Sequence, residues 1–269
     1  MISTASKSPI TVSSARIRRL VRCAGILAAL VSSAPAMAAQ ATVAVATNFA
    51  AAMKVLAEDF HRASGHEVIV ATGSTGKLYA QISHGAPFDV FLAADQDHVR
   101  KLERDGSVVK DSRFTYALGA LTLWRRDPTP MAGPPQVVLA SPAVRHVAIA
   151  NPRLAPYGKA AQQVLQRLNL WDEVAPRIVI GQNIGETFSM VATGNAEVGF
   201  VALSSVFDLQ GDAAGSRWDI PQSLYDPIAQ DAVLLRHGAD NTAAIAFLDF
   251  LRSPVAHKII RGFGYEVMQ

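Results

Sequence analysis

Four short polar clusters carry the groups in this chain best suited to holding a ligand: Thr47-Asn48, Gly73-Ser74-Thr75-Gly76, Pro156-Tyr157-Gly158 and Gln182-Asn183-Ile184-Gly185. Each offers hydroxyl, amide or main-chain N–H donors, and none contains a charged side chain. Each also stands between a strand-like run and a helical pattern, so its N–H groups fall at a helix N-terminus. There the unpaired donors and the positive end of the helix dipole suit an anion. The competing local reading is that Ser74 or Thr75 merely caps its own helix.

A cage of donors without acceptors discriminates among anions. Phosphate keeps a proton near neutral pH and needs an acceptor to meet it, whereas sulfate, molybdate and tungstate are fully ionised. A fully ionised tetrahedral dianion is therefore the expected ligand. Hydrogen bonds to a charged group contribute roughly 1.5–3 kcal/mol each. Half a dozen, less ordering and desolvation costs, reach the roughly −8 to −12 kcal/mol of micromolar to nanomolar binding.

Other chemistries fit less well. A nucleotide-binding P-loop needs a glycine five residues before its Gly-Lys pair and a hydroxyl after the lysine; around Gly76-Lys77 those positions are Ala71 and Leu78. Lys77, two residues into its helix, is expected to face solvent. An exported α/β hydrolase using Ser74 as nucleophile would need a histidine base at that turn, and the sequence places none there. The seven histidines are scattered without zinc-type spacing. Asp89 and Asp95 flank a strand and read as capping and turn-bonding residues.

The elements that must position these clusters alternate. Strand patterns at 41–46, 67–70 and 88–95 are followed by helical patterns at 49–64, 78–82 and 98–105, which implies a parallel α/β sheet. A long run at 113–126, interrupted by Gly119, is able to leave one lobe and enter another. A proline-rich connection at 127–135 follows it. Strands at 147–150, 177–180 and 197–203, with helices at 159–170 and 187–193, make a second set; Asn183 and Glu186 have the spacing of a capping box. A strand at 231–235 looks like a return to the first lobe, before helices at 242–252 and 255–262. If two polar turns come from each lobe, they face one another across a cleft at the carboxyl ends of the strands.

The N-terminus bounds the setting. Lys7, Arg16, Arg18, Arg19 and Arg22 with no acid, an apolar run at 24–31 and Ala36-Met37-Ala38 make a secretory signal, expected to be cleaved after Ala38. The only cysteine, Cys23, lies within it, so the mature chain has no thiol chemistry. The formal charge of +3 belongs to the signal: without those five basic residues, 20 Lys and Arg face 22 acids, about −2. Nucleic acid is accordingly not an expected partner. No second long apolar run follows, so the mature protein is expected to be soluble.

Val-Ala-Thr-Asn-Phe-Ala-Ala-Ala-Met (45–53), Gly-Ser-Thr-Gly-Lys-Leu-Tyr-Ala-Gln-Ile (73–82), Gly-Ala-Pro-Phe-Asp-Val-Phe-Leu-Ala-Ala-Asp (85–95), Ala-Asn-Pro-Arg-Leu-Ala-Pro-Tyr-Gly (150–158) and Gly-Phe-Val-Ala-Leu-Ser (199–204) give the chain a further signature. Together they resemble the periplasmic molybdate-binding proteins of ABC transporters, over essentially all of the mature chain. The resemblance implies an α/β, two-lobed periplasmic binding protein of the type II-like arrangement. Each lobe would be a mixed, mostly parallel sheet flanked by helices, with the ligand in the cleft between them. The expected division is 39–119 plus 229–269 for lobe 1 and 120–228 for lobe 2. By the same resemblance Thr47 and Asn48 match the ligands of the first turn. Thr75 matches the hydroxyl of the second, with Ser74 beside it, Tyr157 the donor at the Pro-x-Gly turn and Ile184 a main-chain N–H donor. Some members place a tyrosine on the strand at 199–204; here the aligned residue is Ala202, and Asn48 is the candidate replacement donor. The implied function is capture of molybdate or tungstate in the periplasm and delivery to the transporter's membrane permease, without catalysis or a resident cofactor. The protein is expected to be a monomer. A receptor for sulfate or another oxyanion is the alternative within this class.

Overall fold

The computed structural model describes Met1, residues 38–131 and residues 133–268. The export signal expected over residues 1–38 lies, apart from Met1 and Ala38, outside the described residues.

The first lobe opens with three strand–helix units. They are β1 (Gln40–Ala46) leading through a 3-10 turn at Thr47–Phe49 into α1 (Ala50–Ser64), β2 (Glu67–Gly73) with α2 (Thr75–Ser83), and β3 (Val90–Leu92) with α3 (Asp97–Arg104). The chain then runs up β4 (Phe114–Gly119), passes Ala120 and enters β5 (Leu121–Arg125) of the second lobe. There α4 (Pro135–Ala140), β6 (Val147–Ala150), α5 (Pro156–Arg167), α6 (Trp171–Val174), β7 (Ile178–Gly181), α7 (Ile184–Ala192), β8 (Val198–Ala202) and β9 (Ser216–Asp219) follow. The chain returns through β10 (Ile228–Leu234) and ends on α8 (Thr242–Leu251) and α9 (Pro254–Gly262).

Two five-stranded sheets result, in the orders β2-β1-β3-β10-β4 and β7-β6-β8-β5-β9. In each, three strands are parallel; β10 and β4 in the first and β5 and β9 in the second pair antiparallel, as the two passages between the lobes require. Helices cover both faces, which is why the inner strands read as unbroken apolar runs. Along β1 the period-two alternation sends Val43 and Val45 toward α1, α8 and α9, while Ala44 faces α2 and α3 with Phe91 and Val233. The second sheet repeats the plan, with Val147, Ile149 and Phe200 against α5, and Ala148 and Val201 on the α7 side.

Several segments differ from the sequence expectation. The strand expected over 88–95 is ordered as β3 only at 90–92. Asp89 turns inward, its carboxylate accepting from the Thr42 N–H at 2.7 Å and facing His237 Nδ1 at 2.8 Å. Asp95 accepts the His98 N–H at 3.0 Å at the start of α3. The run at 113–126 is two strands, one in each sheet, parted at Ala120. Strand β10 begins at Ile228, three residues before the expected start, because Ile228 to Gln230 pair with β4 at Ala117 to Gly119, which places Gln230 as a buried polar residue inside the strand. Among the described residues no helix is long and apolar enough to cross a membrane.

Candidate functional site

Where the carboxyl ends of the two sheets meet, a cavity of about 10 Å³ is lined by residues 46–48, 73–75, 155–157 and 183–184, with Ala94 completing the wall. These four segments are four helix starts: the 3-10 turn that runs into α1, and the first turns of α2, α5 and α7. The first N–H groups of a helix have no intrahelical partner, so donors converge here from both lobes. All six residues singled out from sequence, Thr47, Asn48, Ser74, Thr75, Tyr157 and Ile184, line this one cavity. Asn48, Ser74, Thr75, Tyr157 and Ile184 are each at most 5% exposed.

Local sequence explains each start. In α2, Ser74 is the N-cap; its Oγ accepts the Lys77 N–H at 3.4 Å and so keeps its own proton free. The Gly76 N–H is spent on the Leu154 carbonyl at 2.9 Å, which leaves that of Thr75 for the cavity. Thr75 Oγ1 accepts the Ala94 N–H at 3.0 Å, so its hydroxyl proton is also available. In α5, Pro156 sits in the first turn, where its missing N–H costs nothing, and Tyr157 follows it. In α7, Asn183 caps through the Glu186 N–H at 3.0 Å. Glu186 reaches back to the N–H of Gln182 at 2.9 Å rather than to that of Asn183, a displaced version of the expected capping box. The N–H of Ile184 is thereby left at the cavity. Lys77 is exposed, as expected.

The first turn requires a correction. Its hydroxyl and amide read from sequence as donors to a ligand, but both are already engaged. Thr47 Oγ1 donates to the Gly73 carbonyl at 2.9 Å, and Asn48 Nδ2 donates to Gln230 Oε1 at 2.7 Å and to the Tyr265 hydroxyl at 3.0 Å. Asn48 is therefore not a side-chain substitute for the tyrosine absent at Ala202, and this start offers main-chain N–H groups instead. Of the two glycines of the second cluster, Gly73 lines the cavity and packs on Leu78, while Gly76 brings the backbone close to Leu154 instead.

Behind the cavity lies a buried polar network that sequence reasoning missed. The Tyr116 hydroxyl donates to Gln230 Oε1 at 3.1 Å, and Gln230 Nε2 donates to the Tyr157 hydroxyl at 3.4 Å. Ser204 Oγ donates to the Asn48 carbonyl at 3.1 Å, and the Tyr265 hydroxyl lies 2.7 Å from that carbonyl and 2.9 Å from Ser204 Oγ. Asn48, Tyr116, Gln230 and Tyr265 flank the first sheet, Tyr157 and Ser204 the second, so the network ties the lobes together. The available signal was Gln230-Asp231, a polar pair inside the run Ile-Ala-Gln-Asp-Ala-Val-Leu. Burial holds the Tyr116 and Tyr157 hydroxyls well above the usual tyrosine range, and pushes Tyr265 up to about 12. All three are uncharged donors at neutral pH.

No charged side chain lines the cavity, and no histidine, which removes the base that a Ser74 nucleophile would require. A larger cleft of about 190 Å³ adjoins it, sharing Ala94 and Pro156. Its lining mixes the carboxylates of Asp95, Asp97 and Asp226 with Arg100 and Lys159, and carboxylates accept rather than donate, so the smaller, donor-lined cavity is the better site for a dianion.

Comparison with known proteins agrees with this chemistry. The family described as "Bacterial extracellular solute-binding protein" matches residues 41–266. The molybdate-binding protein ModA of Azotobacter vinelandii is 49% identical over 230 residues, covering 86% of this chain and 91% of that protein. Its counterpart in Rhodobacter capsulatus is 46% identical over 231 residues, covering 86% and 90%. Among solved structures, the periplasmic molybdate-binding protein of Azotobacter vinelandii superposes with a TM-score of 0.80 at 40% identity, over 85% of this chain and 100% of that one.

Proposed function

The chain belongs to the bacterial extracellular solute-binding proteins, and from that premise we propose that it captures molybdate or tungstate in the periplasm and delivers it to the membrane permease of an ABC transporter. It is a binding protein, not an enzyme, and the anion is cargo rather than cofactor. The observation that carries this reading is the convergence of four helix starts on one cavity that holds no charged side chain.

The cavity chemistry accounts for selective capture. The Ser74 and Thr75 hydroxyls and the first-turn N–H groups of Thr75, Tyr157 and Ile184 are ligands in this reading, with Thr47 and Asn48 contributing from the main chain. Together they surround a dianion with donors fixed by the secondary structure. Their orientation costs nothing at the moment of binding, and the helix dipoles favour negative charge. A protonated phosphate oxygen would meet only donors and lose one hydrogen bond while burying another polar group, a penalty of about 1–3 kcal/mol.

The same reading takes residues 39–119 with 229–269 as one lobe and 120–228 as the other, a division supported by sheet membership. It takes the mature protein to be a monomer that begins after Ala38 and does not bind nucleic acid. Isothermal titration of the mature protein with molybdate, tungstate, sulfate and phosphate tests the assignment. One-to-one binding of the first two, with sulfate at least about 100-fold weaker, or roughly 2.8 kcal/mol, and no heat from phosphate is the expected result. Equal binding of sulfate would make it a general oxyanion receptor, and no heat from any of the four would overturn the anion cage.

A further inference from the structure

Two glycines, each next in sequence to a cavity-lining residue, are not required by their own backbone. Neither Gly76 nor Gly185 has a positive φ, and each is the second residue of its helix. What each lacks is room for a Cβ, and the atoms nearest that room belong to the opposite lobe, with Asn183 Oδ1 of its own lobe 3.2 Å away at Gly185. Gly76, on α2 of the first lobe, donates its N–H to the Leu154 carbonyl of the second at 2.9 Å. A Cβ there would lie 3.0 Å from that oxygen and 3.2 Å from Leu154 Cα. Gly185, on α7 of the second lobe, faces Thr47 of the first: a Cβ would come 2.4 Å from Thr47 Cγ2. That methyl cannot easily turn away, because Thr47 Oγ1 is held by the Gly73 carbonyl at 2.9 Å.

The contacts are reciprocal: each lobe presents a glycine, on an anion-facing helix, to the backbone or a pinned side chain of the other. Gly119 and Gly264 also meet the second lobe, at the Tyr157 hydroxyl and the Phe207 ring, but neither lies on an anion-facing helix, and Gly264 needs its positive φ of 77°. Gly158 and Gly199 are packed by their own lobe. At Gly158 a Cβ would meet the Ala150 carbonyl at 2.1 Å, and at Gly199 it would meet Val191 and Ala148.

The cavity residues are almost fully buried, so an anion enters only when the lobes part. With the lobes apart, the space at Gly76 and Gly185 opens while that at Gly158 does not. We propose that Gly76 and Gly185 form a paired closing seam, two positioning residues that touch no ligand atom through a side chain but set how far the lobes close on it. The Gly76–Leu154 main-chain hydrogen bond is the contact that forms only on closure. This inference rests on the oxyanion-receptor reading.

The test compares wild type, Gly76→Val, Gly185→Val and, as a control inside one lobe, Gly158→Ala. Molybdate affinity is read by titration, release by stopped-flow fluorescence and ligand-free stability by thermal unfolding. Overpacking the seam is expected to raise Kd by about tenfold or more, equal to roughly 1.4 kcal/mol per decade, chiefly through faster release. The ligand-free melting temperature should hold or rise, since glycine is the weakest helix former here short of proline; that of Gly158→Ala should fall. Valine variants that bind and release like wild type would overturn the seam. So would a ligand-free melting temperature lowered as in Gly158→Ala, which would make these glycines structural. Should wild type bind no oxyanion, the receptor reading fails by itself. The seam is then judged by the distance between spin labels on Lys54→Cys and Glu173→Cys, one in each lobe. Valine at the seam must shift that distribution to longer values, and an unchanged distribution overturns the inference.

Discussion

Thr75→Val separates the ligand-facing role of a hydroxyl from its role in the fold. Thr75 is 1% exposed, and its Oγ1 accepts the Ala94 N–H at 3.0 Å. With that lone pair occupied, the hydroxyl proton is free to face the cavity, where in the proposed cage it meets the anion. Valine keeps nearly the same shape and β-branching, so packing in the first turn of α2 changes little. Two quantities are lost. Binding loses one hydrogen bond to a charged group, about 1.5–3 kcal/mol, which raises Kd by about 10- to 150-fold at 1.4 kcal/mol per decade. The ligand-free fold loses the acceptor of a buried N–H, about 1–3 kcal/mol, which lowers the melting temperature by roughly 2–10 °C for a chain of this size. Titration with molybdate reads the first and scanning calorimetry the second, and Thr75→Ser should restore both. A Thr75→Val protein that binds within twofold of wild type would refute the assignment, because no other group can take over a proton at that position.

The main-chain donor at α7 is tested by Ile184→Pro. Asn183 has φ −152° and ψ 172°, an extended conformation compatible with a following proline, and proline suits the first helical position. Set against Ile184→Ala, which loses similar packing but keeps the N–H, the proline variant should bind molybdate about tenfold or more weakly, from the loss of roughly 1.5–3 kcal/mol; equal affinities would exclude this N–H as a ligand. The tyrosine network predicts an alkaline limb. Burial holds the folded pKa of Tyr265 at about 12 against an ordinary 10.0, so below pH 10 both states are protonated and stability is intact. Between pH 10 and 12 the unfolded tyrosine ionises while the folded one does not, and stability falls by about 2–3 kcal/mol at 1.36 kcal/mol per unit. Denaturant midpoints measured across that range should drop less steeply in Tyr265→Phe; identical slopes would count against the buried-hydroxyl account.

What could be read from sequence was whatever repeats locally. The spacing of Met53, Leu56 and Phe60 gives α1 its buried face, and Leu78 and Ile82 do the same for α2. The starts of α2, α5 and α7 were legible because a cap or first-turn proline is defined within a few residues; the first start has neither and showed only as a polar pair between a strand run and a helical pattern. Strand β9, Ser-Arg-Trp-Asp, has one apolar residue, too few to reveal the alternation its burial follows, and it is ordered by pairing with β5 at the sheet edge. The fate of individual donors was equally hidden. Thr47 and Asn48 are a hydroxyl and an amide at a helix start, and nothing near them tells that Gly73, 26 residues on, and Gln230, 182 residues on, have taken their protons. Donor type is local information, whereas donor availability depends on partners that only the folded lobe brings close.

That distinction bears on why the cage is neutral. A lysine or arginine in the cavity would supply a whole charge, but burying it in the empty protein would cost several kcal/mol, and its flexible side chain would hold almost any anion. Helix-start N–H groups are aligned by the helices behind them and carry only partial charge, so the empty cavity is tolerated and the direction of each donor is fixed. Their drawback is reach: each acts over hydrogen-bond distance, so in the proposed cage the donors of the first lobe and those from α5 and α7 hold one anion together only when the lobes meet. A network that joins Asn48 and Gln230 to Tyr157 and Ser204 across the same boundary places the satisfaction of buried polar groups and the completion of the anion site in a single event. Opening the lobes then disrupts both at once, and a permease that pries them apart releases the anion without having to compete for it.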